Sequence, residues 1–403
     1  MPLAIGLNSG SSFDGIDVVL IDIPLDSDGY PKRPVFKSGK SYAWPKVVAE
    51  KVIRSFENKL SVFELCRLNY EIGAVFAECI QNFMAEENIT DSDVEVIGYD
   101  AQTIYQEPPV HEGLAAYQKD NQNILERWTS GIYACGLQIG EPAIVSAITN
   151  IITVNNYRPA DHVLGGTGAP LMQYLDYIAF REIGPVLTLN IGGIANCHLA
   201  HKDRSKMYAF DTGPGNVMID HAMNILYGLD YDKDGETARS GKIISAMLDE
   251  LFQHEYFKRP IPRCAWRLDF GSSYANGMLE KYKMEKKEDI IATLTEFTAL
   301  AISRSIKDNI PDLAGLSQII ASGGGTKNKF LLERLQKQFP AMDIVESDVY
   351  GIPSVFKEAI KFATLAYATI NQFANNIPAA CGASEFTVLG KVSYPPKAAK
   401  FKN

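Results

Sequence analysis

Two short stretches, close to half a chain-length apart, restrict the fold more than any other feature of this 403-residue sequence. Leu7-Asn8-Ser9-Gly10 closes the apolar run that opens the chain, and Leu189-Asn190-Ile191-Gly192 closes a second such run that starts at Pro185. Each leads through a glycine- or serine-rich turn into a returning strand-like segment, Ile16 to Ile23 after the first. A four-residue match is weak by itself, but its position after a strand at the head of each half predicts a duplicated architecture. Length points the same way, because a chain of this size exceeds what one hydrophobic core usually organises. Two lobes are expected, residues 1–183 completed by 354–403 and residues 184–353.

The periodicities between these starts are those of an α/β protein. Strand-like runs lie near Val35 to Ala43 and at VEVIGYD, and helical spacing extends from Val47 to about Glu87 with a break near Asn58. In the second half MYAFD reads as a strand, and VMIDHAMNILYG carries Ile219, Ala222, Met223 and Leu226 on one helical face with Gly228 just past its end. SQIIASGGG reads as a strand entering a glycine turn, followed by a helix bearing Leu331, Leu332, Leu335 and Phe339 and stopped by Pro340.

Composition removes several function classes. No apolar run is long enough to span a bilayer and no basic, apolar leader opens the chain, so a soluble cytoplasmic protein with no membrane partner is expected. A net charge of −9 argues against a nucleic-acid partner, whose affinity is built largely from Lys and Arg neutralising phosphates. The six cysteines are scattered, with no C-x-x-C pair, which suits reduced packing residues better than a zinc site.

Three glycine-rich segments can carry phosphate chemistry, and each also has a plainer reading. In the first loop, Ser9, Gly10, Ser11 and Ser12 offer backbone N–H groups and hydroxyls to a phosphate, with Asp14 and Asp17 as oxygen ligands for Mg²⁺; an ordinary polar hairpin turn has the same composition. FDTGPGN places Asp211 at the end of a strand, where ligands collect in α/β folds, as a general base or as a brace for the Gly213-Pro214-Gly215 turn. SGGGTKN bares Gly323, Gly324 and Gly325 between strand and helix, yet lacks the third glycine of a dinucleotide fingerprint and the Gly-Lys-Ser/Thr of a P-loop. A fourth segment, DYDKDG, imitates the start of a calcium loop but would present Gly241 where a bidentate Glu is required, so a solvated acidic loop is expected there.

The combination of duplicated starts, glycine turns and a strand-end Asp resembles the two-lobe actin, hexokinase and Hsp70 type of ATP-binding fold, with its nucleotide in an interlobe cleft. At motif level the likeness narrows. GLNSGSSFDGID, LQIGEPAI, GGTGAPL, NIGGIAN, FDTGPGN, YDKDG, GGG…N, KEAIKFA and VLGKV occur in the order seen in the anhydro-N-acetylmuramic acid kinase family, from residue 6 to residue 392. Asn8, where bacterial members usually carry Met, is similar to the levoglucosan kinase branch. The resemblance implies a kinase that uses ATP and Mg²⁺ to phosphorylate O6 of a 1,6-anhydro sugar while water attacks C1. It further implies Asp211 as the base, residues 9 to 12 at the phosphates and Asp14 at the metal. Gly192, Gly193, Gly213, Gly215, Asn216, Gly323, Gly324, Gly325 and Asn328 would border the nucleotide. Asp100, Gln102, Asn156, Arg158, Asp161 and Glu358 would stand near the sugar. Family members commonly pair, so a homodimer is expected by the same resemblance.

Departures from the family pattern fall on the sugar segments. Its H-G-Q-T reads Asp100-Ala101-Gln102-Thr103, its D-F-R-x-x-D reads Asn156-Tyr157-Arg158-Pro159-Ala160-Asp161, Thr167 replaces the Gln of G-G-Q-G-A-P, and of S-T-G-R-E only Arg267 survives. A site built to hydrogen-bond one hydroxyl loses heavily when a partner is missing. These changes imply an altered sugar specificity, or a pseudokinase that binds nucleotide or sugar without turnover; a sugar-independent ATPase is a third reading.

Overall fold

The computed structural model describes residues 1–9, 15–107, 124–131, 133–261, 263, 265, 267–316 and 318–398. Its strands are β1 (Leu3–Asn8), β2 (Ile16–Asp22), β3 (Val35–Tyr42), β4 (Val94–Tyr99), β5 (Gln102–Glu107), β6 (Cys135–Ile139), β7 (Thr153–Asn155), β8 (Val186–Ile191), β9 (Ile194–Ala200), β10 (Tyr208–Pro214), β11 (Gln318–Ser322), β12 (Asp343–Glu346) and β13 (Lys391–Ser393). The chain divides into two compact units, Met1–Ala179 with Gly351–Asn403, and Phe180–Tyr350.

Each unit is built on the same sheet plan. The first runs β3-β2-β1-β4-β7 and adds β13 at its edge; the second runs β10-β9-β8-β11-β12. In both, three antiparallel strands are followed by two parallel ones. This is the duplicated α/β topology of the actin, hexokinase and Hsp70 type. The strand register makes the repeat specific. Asn8 pairs with Asp17, which pairs with Ser41, while Asn190 pairs with Asn196, which pairs with Asp211. Ser41 therefore holds in the first unit the position that Asp211 holds in the second, and its hydroxyl donates to Asp17.

β1 and β8 read as near-continuous apolar runs because both faces of a central strand are covered. The helix Val62–Glu87 starts from a capping box in which Ser61 and Glu64 satisfy each other's backbone N–H, and Asn88 ends it in the left-handed conformation. Its Leu68, Ile72, Phe76, Ile80 and Phe83 repeat at helical spacing and enter the core with Ile5, Leu7, Val18 and Ile97. The second unit's core gathers Leu187, Leu189, Ile319, Leu331 and Leu335, and the helix Val217–Tyr227 contributes Met218, Ile219, Ala222 and Met223 to a neighbouring cluster. The break near Asn58 and the stop at Gly228 fall where the sequence placed them, Asn58 and Gly228 both having positive φ.

Two glycines let the helix Lys357–Ile370 lie against the first sheet. A Cβ on Gly6 would stand 1.9 Å from the Ala359 carbonyl oxygen, and one on Gly98 2.1 Å from that of Phe362. Both obstacles are backbone, so the helix itself would have to shift. Gly98→Ala is therefore expected to cost about 2–3 kcal/mol of stability, read from the denaturation midpoint. No described helix is long and apolar enough to cross a membrane. The five described cysteines are all free.

Candidate active site

Asp211 sits within β10 rather than at its end, because the strand continues to Pro214 through a register shift between Asp211 and Gly213. Such a bulge re-aims the side chain it carries. The carboxylate accepts from the backbone N–H of Ala265 at 2.7 Å, and the Asp211 carbonyl accepts from the Tyr256 hydroxyl at 2.6 Å. Burial pushes the Asp211 carboxyl up to about 7, against the opposing pull of the Ala265 N–H and the Arg263 guanidinium. A carboxyl held this way is poised to exchange a proton near neutrality.

The glycine turns of the second unit meet around one strand end. Gly215 and Asn216 donate their backbone N–H groups to the carbonyls of Gly193 and Gly192, each at 2.8 Å. A Cβ on Gly323 would come within 2.7 Å of Asn190 Oδ1, and one on Gly325 within 2.3 Å of Ile191. Close approach of these turns to the Asn190 and Ile191 side chains and to the Ile191 carbonyl explains why both positions carry no side chain. Beside them opens a cavity of about 270 Å³ lined by Asn216, Asp220, Tyr231, Asp232, Asp234, Gly324, Lys327 and Asn328.

The cavity wall is acidic, and its carboxylates have distinct tasks. Asp232 is buried, and its two oxygens accept from the N–H groups of Thr237 and Ala238, so the segment expected to be a solvated acidic loop instead holds a helix start. Asp234 pairs with Lys329 at 2.8 Å. The Asp220 carboxyl is pushed up to about 7 by burial and by the charges of Asp230 and Asp232. Asn328 caps the helix Lys329–Gln338 through Oδ1 while lining the cavity. Gly213 packs against Ala301 and Phe257 and is not among the cavity-lining residues.

In the first unit the segments that carry Asp100, Arg158, Asp161 and Thr167 converge into one polar network. Arg158 donates to Asp100 at 2.7 Å and to the Gly168 carbonyl at 3.2 Å. Gly168 donates its N–H to Asp161, which also accepts from the Cys381 thiol at 2.9 Å. Asp161 is buried, its carboxyl pushed up by that burial, and it braces the Gly166–Gly168 turn. Thr167 donates its hydroxyl to the carbonyls of Ala169 and Cys381. Gln138 donates to Gln106, whose own amide lies 3.2 Å from His162 Nε2. Burial and the Arg158 charge hold the His162 imidazole down at about 4, so it is neutral at physiological pH. Gln106, His162 and Cys381 lie outside the quoted motifs, and Gln138 lies within LQIGEPAI without standing out there; the pairing of β5 with β6 and the return of the chain's last segment reveal them.

Acceptor atoms stay open across this network. Among the described residues, Asp100 Oδ1, Gln102 Oε1, Gln138 Oε1 and Asn156 Oδ1 are buried without a hydrogen-bond partner. Ser9 is also buried, its hydroxyl without a partner among the described residues, whereas Gly10, Ser11, Ser12 and Asp14 lie outside the described residues. Glu358 is exposed in the first turn of its helix. Among the described residues no group of three His, Cys, Asp or Glu side chains could hold a metal ion.

Ala101, standing where the resembled family carries Gly, has φ +69°. An L residue in that region costs about 1–2 kcal/mol, partly offset by glycine's greater freedom when unfolded. Ala101→Gly is expected to raise stability by about 0.5–1 kcal/mol, measured as a higher urea midpoint at unchanged slope.

The anhydro-N-acetylmuramic acid kinase family model matches residues 2–134 and 121–395. The anhydro-N-acetylmuramic acid kinase of Francisella tularensis subsp. novicida is 36% identical over 394 residues, covering 97% of this chain and 98% of its own. That of Caldanaerobacter subterraneus subsp. tengcongensis is 35% identical over 399 residues, covering 97% and 96%. That of Bacillus cereus strain ATCC 10987 is 32% identical over 400 residues, covering 97% and 98%. With both units matched end to end and the FDTGPGN and glycine turns in place, the chain belongs to the anhydro-N-acetylmuramic acid kinase family.

Proposed function

We propose that this protein is an ATP-dependent kinase that opens a 1,6-anhydro sugar with water and phosphorylates its O6. The observation that carries the reading is Asp211, a bulge-mounted carboxylate with one backbone donor and a pKa near neutrality. Asp211 takes a proton from water as the water oxygen bonds to C1. The C1–O6 bond breaks, O6 bonds to the γ-phosphorus, and the bond from that phosphorus to the β-phosphate oxygen breaks to leave ADP. Oxocarbenium-like character at C1 is stabilised by the same carboxylate, so one residue serves as base and as counter-charge.

The remaining residues bind and orient. The acidic cavity disfavours a triphosphate and suits the donor-bearing nucleoside, with Tyr231 at its rim, while the bare turns at Gly192-Gly193 and Gly323–Gly325 leave room for phosphates. Mg²⁺ keeps waters and phosphate oxygens among its ligands and so asks little of the protein; Asp14 is the residue proposed to approach it, and the ion would neutralise charge on the transferred phosphoryl group. Asp100, Gln102, Asn156, Arg158 and Glu358 are proposed to face the sugar, with Asp161 holding their turn.

The test is ADP release on mixing ATP with a panel of 1,6-anhydro sugars. Release that requires both the sugar and Asp211 supports the reading; no turnover on the whole panel refutes it. The replaced His and Gly at Asp100 and Ala101, with the strain at Ala101, favour a second reading as a nucleotide- or sugar-binding pseudokinase. Tight calorimetric binding with no turnover on any sugar would support that alternative.

A further inference from the structure

One stretch of the second unit, residues 256–265, meets Asp211 at its N–H, its carbonyl and its carboxylate. β10 is the edge strand of its sheet, so the outward backbone groups of Asp211 need partners from elsewhere. The Asp211 N–H donates to the Arg263 carbonyl at 2.9 Å, the Asp211 carbonyl accepts from the Tyr256 hydroxyl at 2.6 Å, and Oδ2 accepts from the Ala265 N–H at 2.7 Å. Arg263 anchors that stretch. Its side chain is buried, with the guanidinium 4.8 Å from the centre of the Tyr256 ring, and it donates to the Ser305 hydroxyl at 2.7 Å and to the Arg259 carbonyl at 3.2 Å. Its Nε also lies 3.4 Å from the Asp211 carbonyl, and Ser305 in turn donates to the Thr212 carbonyl at 2.8 Å. Both carbonyls of the bulge are therefore tied to one guanidinium, Asp211 directly and Thr212 through Ser305. Arg259 pairs with Asp269 at 2.5 Å and 3.1 Å, which closes the loop on either side of residues 263–265.

We propose that Arg263, seated on Tyr256 and tied to Ser305, is a positioning residue for Asp211: it holds the bulge and the 263–265 backbone together, so that the Ala265 N–H takes Oδ2 and Oδ1 is left for the attacking water. The terminal torsion of an aspartate is broad, and a donor fixed at one oxygen selects which oxygen faces the substrate. A general base works only within hydrogen-bond reach of the proton it takes. Arginine suits this task because its planar fork reaches several acceptors at once, whereas a lysine ammonium is a point charge on a flexible stem. The charged groups that act on Asp211 are Arg263, which favours the carboxylate, and Asp269, which opposes it together with burial; Arg259 is committed to Asp269. Removing the Arg263 charge and loosening the Ala265 N–H both drive the base towards its protonated form. Ala265, a departure from the resembled family pattern, meets Asp211 through its backbone, which any residue except proline supplies.

The inference rests on Asp211 as the base of the anhydro-sugar kinase reading, and two readouts keep the claims apart. Wild type, Arg263→Met and Tyr256→Phe are compared by ADP release from ATP with 1,6-anhydroglucose and with 1,6-anhydro-N-acetylmuramic acid from pH 5 to 9. The same proteins, labelled with ¹³C at the aspartate carboxyls, are titrated by NMR, the Asp211 signal being identified by its loss in Asp211→Asn. Arg263→Met should lower kcat about 10–100-fold while both KM values stay within about twofold. It should also move the acid limb of kcat and the Asp211 titration upward together, by about half a pH unit or more. Tyr256→Phe keeps the ring beneath the guanidinium and removes only the hydroxyl from the Asp211 carbonyl; it should fold, with smaller changes of the same sign, and it decides the matter if Arg263→Met does not fold. A merely structural role would lower the denaturation midpoint and the yield of active enzyme without moving either titration. Unmoved titrations, with or without a fall in kcat, overturn the inference and leave the kinase reading standing. If the wild type turns over neither sugar, the kinase reading fails and the carboxyl titration alone decides: an upward shift in the variants supports the positioning role, and an unmoved one overturns it.

Discussion

Asp211→Asn is expected to lose about 10²–10⁴-fold in sugar-dependent ADP release while gaining stability. The loss follows from the proposed role, since an amide cannot take the proton from water as it attacks C1. The gain follows from burial. The carboxyl is pushed up to about 7, so ionising it in the folded protein is unfavourable compared with the unfolded chain. A rise of that size corresponds to about 4 kcal/mol at full burial, and because Asp211 keeps contact with solvent the expected gain is about 1–2 kcal/mol. The sign is fixed by linkage. A raised carboxyl contributes its stability fully below the unfolded value of about 4 and loses it as pH rises through about 7. The variant's advantage should therefore be largest at pH 8 and vanish near pH 4. In the wild type, kcat/KM should fall as pH drops below about 7, where the base becomes protonated. Paired denaturation and rate measurements at pH 5, 6, 7 and 8 check both halves.

Lys357→Met is expected to destabilise the first unit by about 3–5 kcal/mol. Lys357 and Asp176 form an ion pair at 2.9 Å with side-chain exposures of 2% and 0%. Replacing the ammonium alone leaves a carboxylate in the core without its cation. Replacing both partners, as Lys357→Met with Asp176→Leu, removes the two desolvation costs together and should recover most of the loss. Denaturation midpoints of the two single variants and the double variant measure the coupling; additive single effects would contradict the account. The pair matters for function through position. Lys357 starts the helix that carries Glu358, and Gly6 and Gly98 allow that helix to lie on the sheet.

Much of the architecture was legible because it rests on local pattern. The strand ends at Asn8 and Asn190, the helix break near Asn58 and the helix stop at Gly228 all depend on residues close to one another in sequence. The likeness between the halves survives as strand register, which pairs Asn8 with Asp17 and Asn190 with Asn196. Asp211 was singled out by its FDTGPGN context, yet its place inside a strand was not, because a bulge depends on the partner strand as well as on its own sequence. Asp232 was misplaced in a solvated loop because its two acceptor bonds go to backbone N–H groups five and six residues on, which no composition reveals.

The polar network around Arg158 and Asp161 was the least legible part. Its bonds join Gln106 to His162, Arg158 to Asp100 and Cys381 to Asp161, partners 56, 58 and 220 residues apart. Motif reading found the segments that carry Asp100, Arg158 and Asp161 but not what they do to one another. Asp100, a departure in sequence, is in the structure the partner of Arg158. Asp161, a match in sequence, is a buried brace for a turn.

The measurement that bears most directly on the proposed chemistry is the fate of solvent oxygen when ATP and 1,6-anhydroglucose react with the enzyme in ¹⁸O-water, quenched before the product exchanges its anomeric oxygen. Attack of water at C1 predicts one ¹⁸O on C1 of the sugar 6-phosphate and none on its phosphoryl group, with Asp211→Asn forming neither product. Sugar phosphate without ¹⁸O at C1, or ¹⁸O found only in inorganic phosphate, would contradict it.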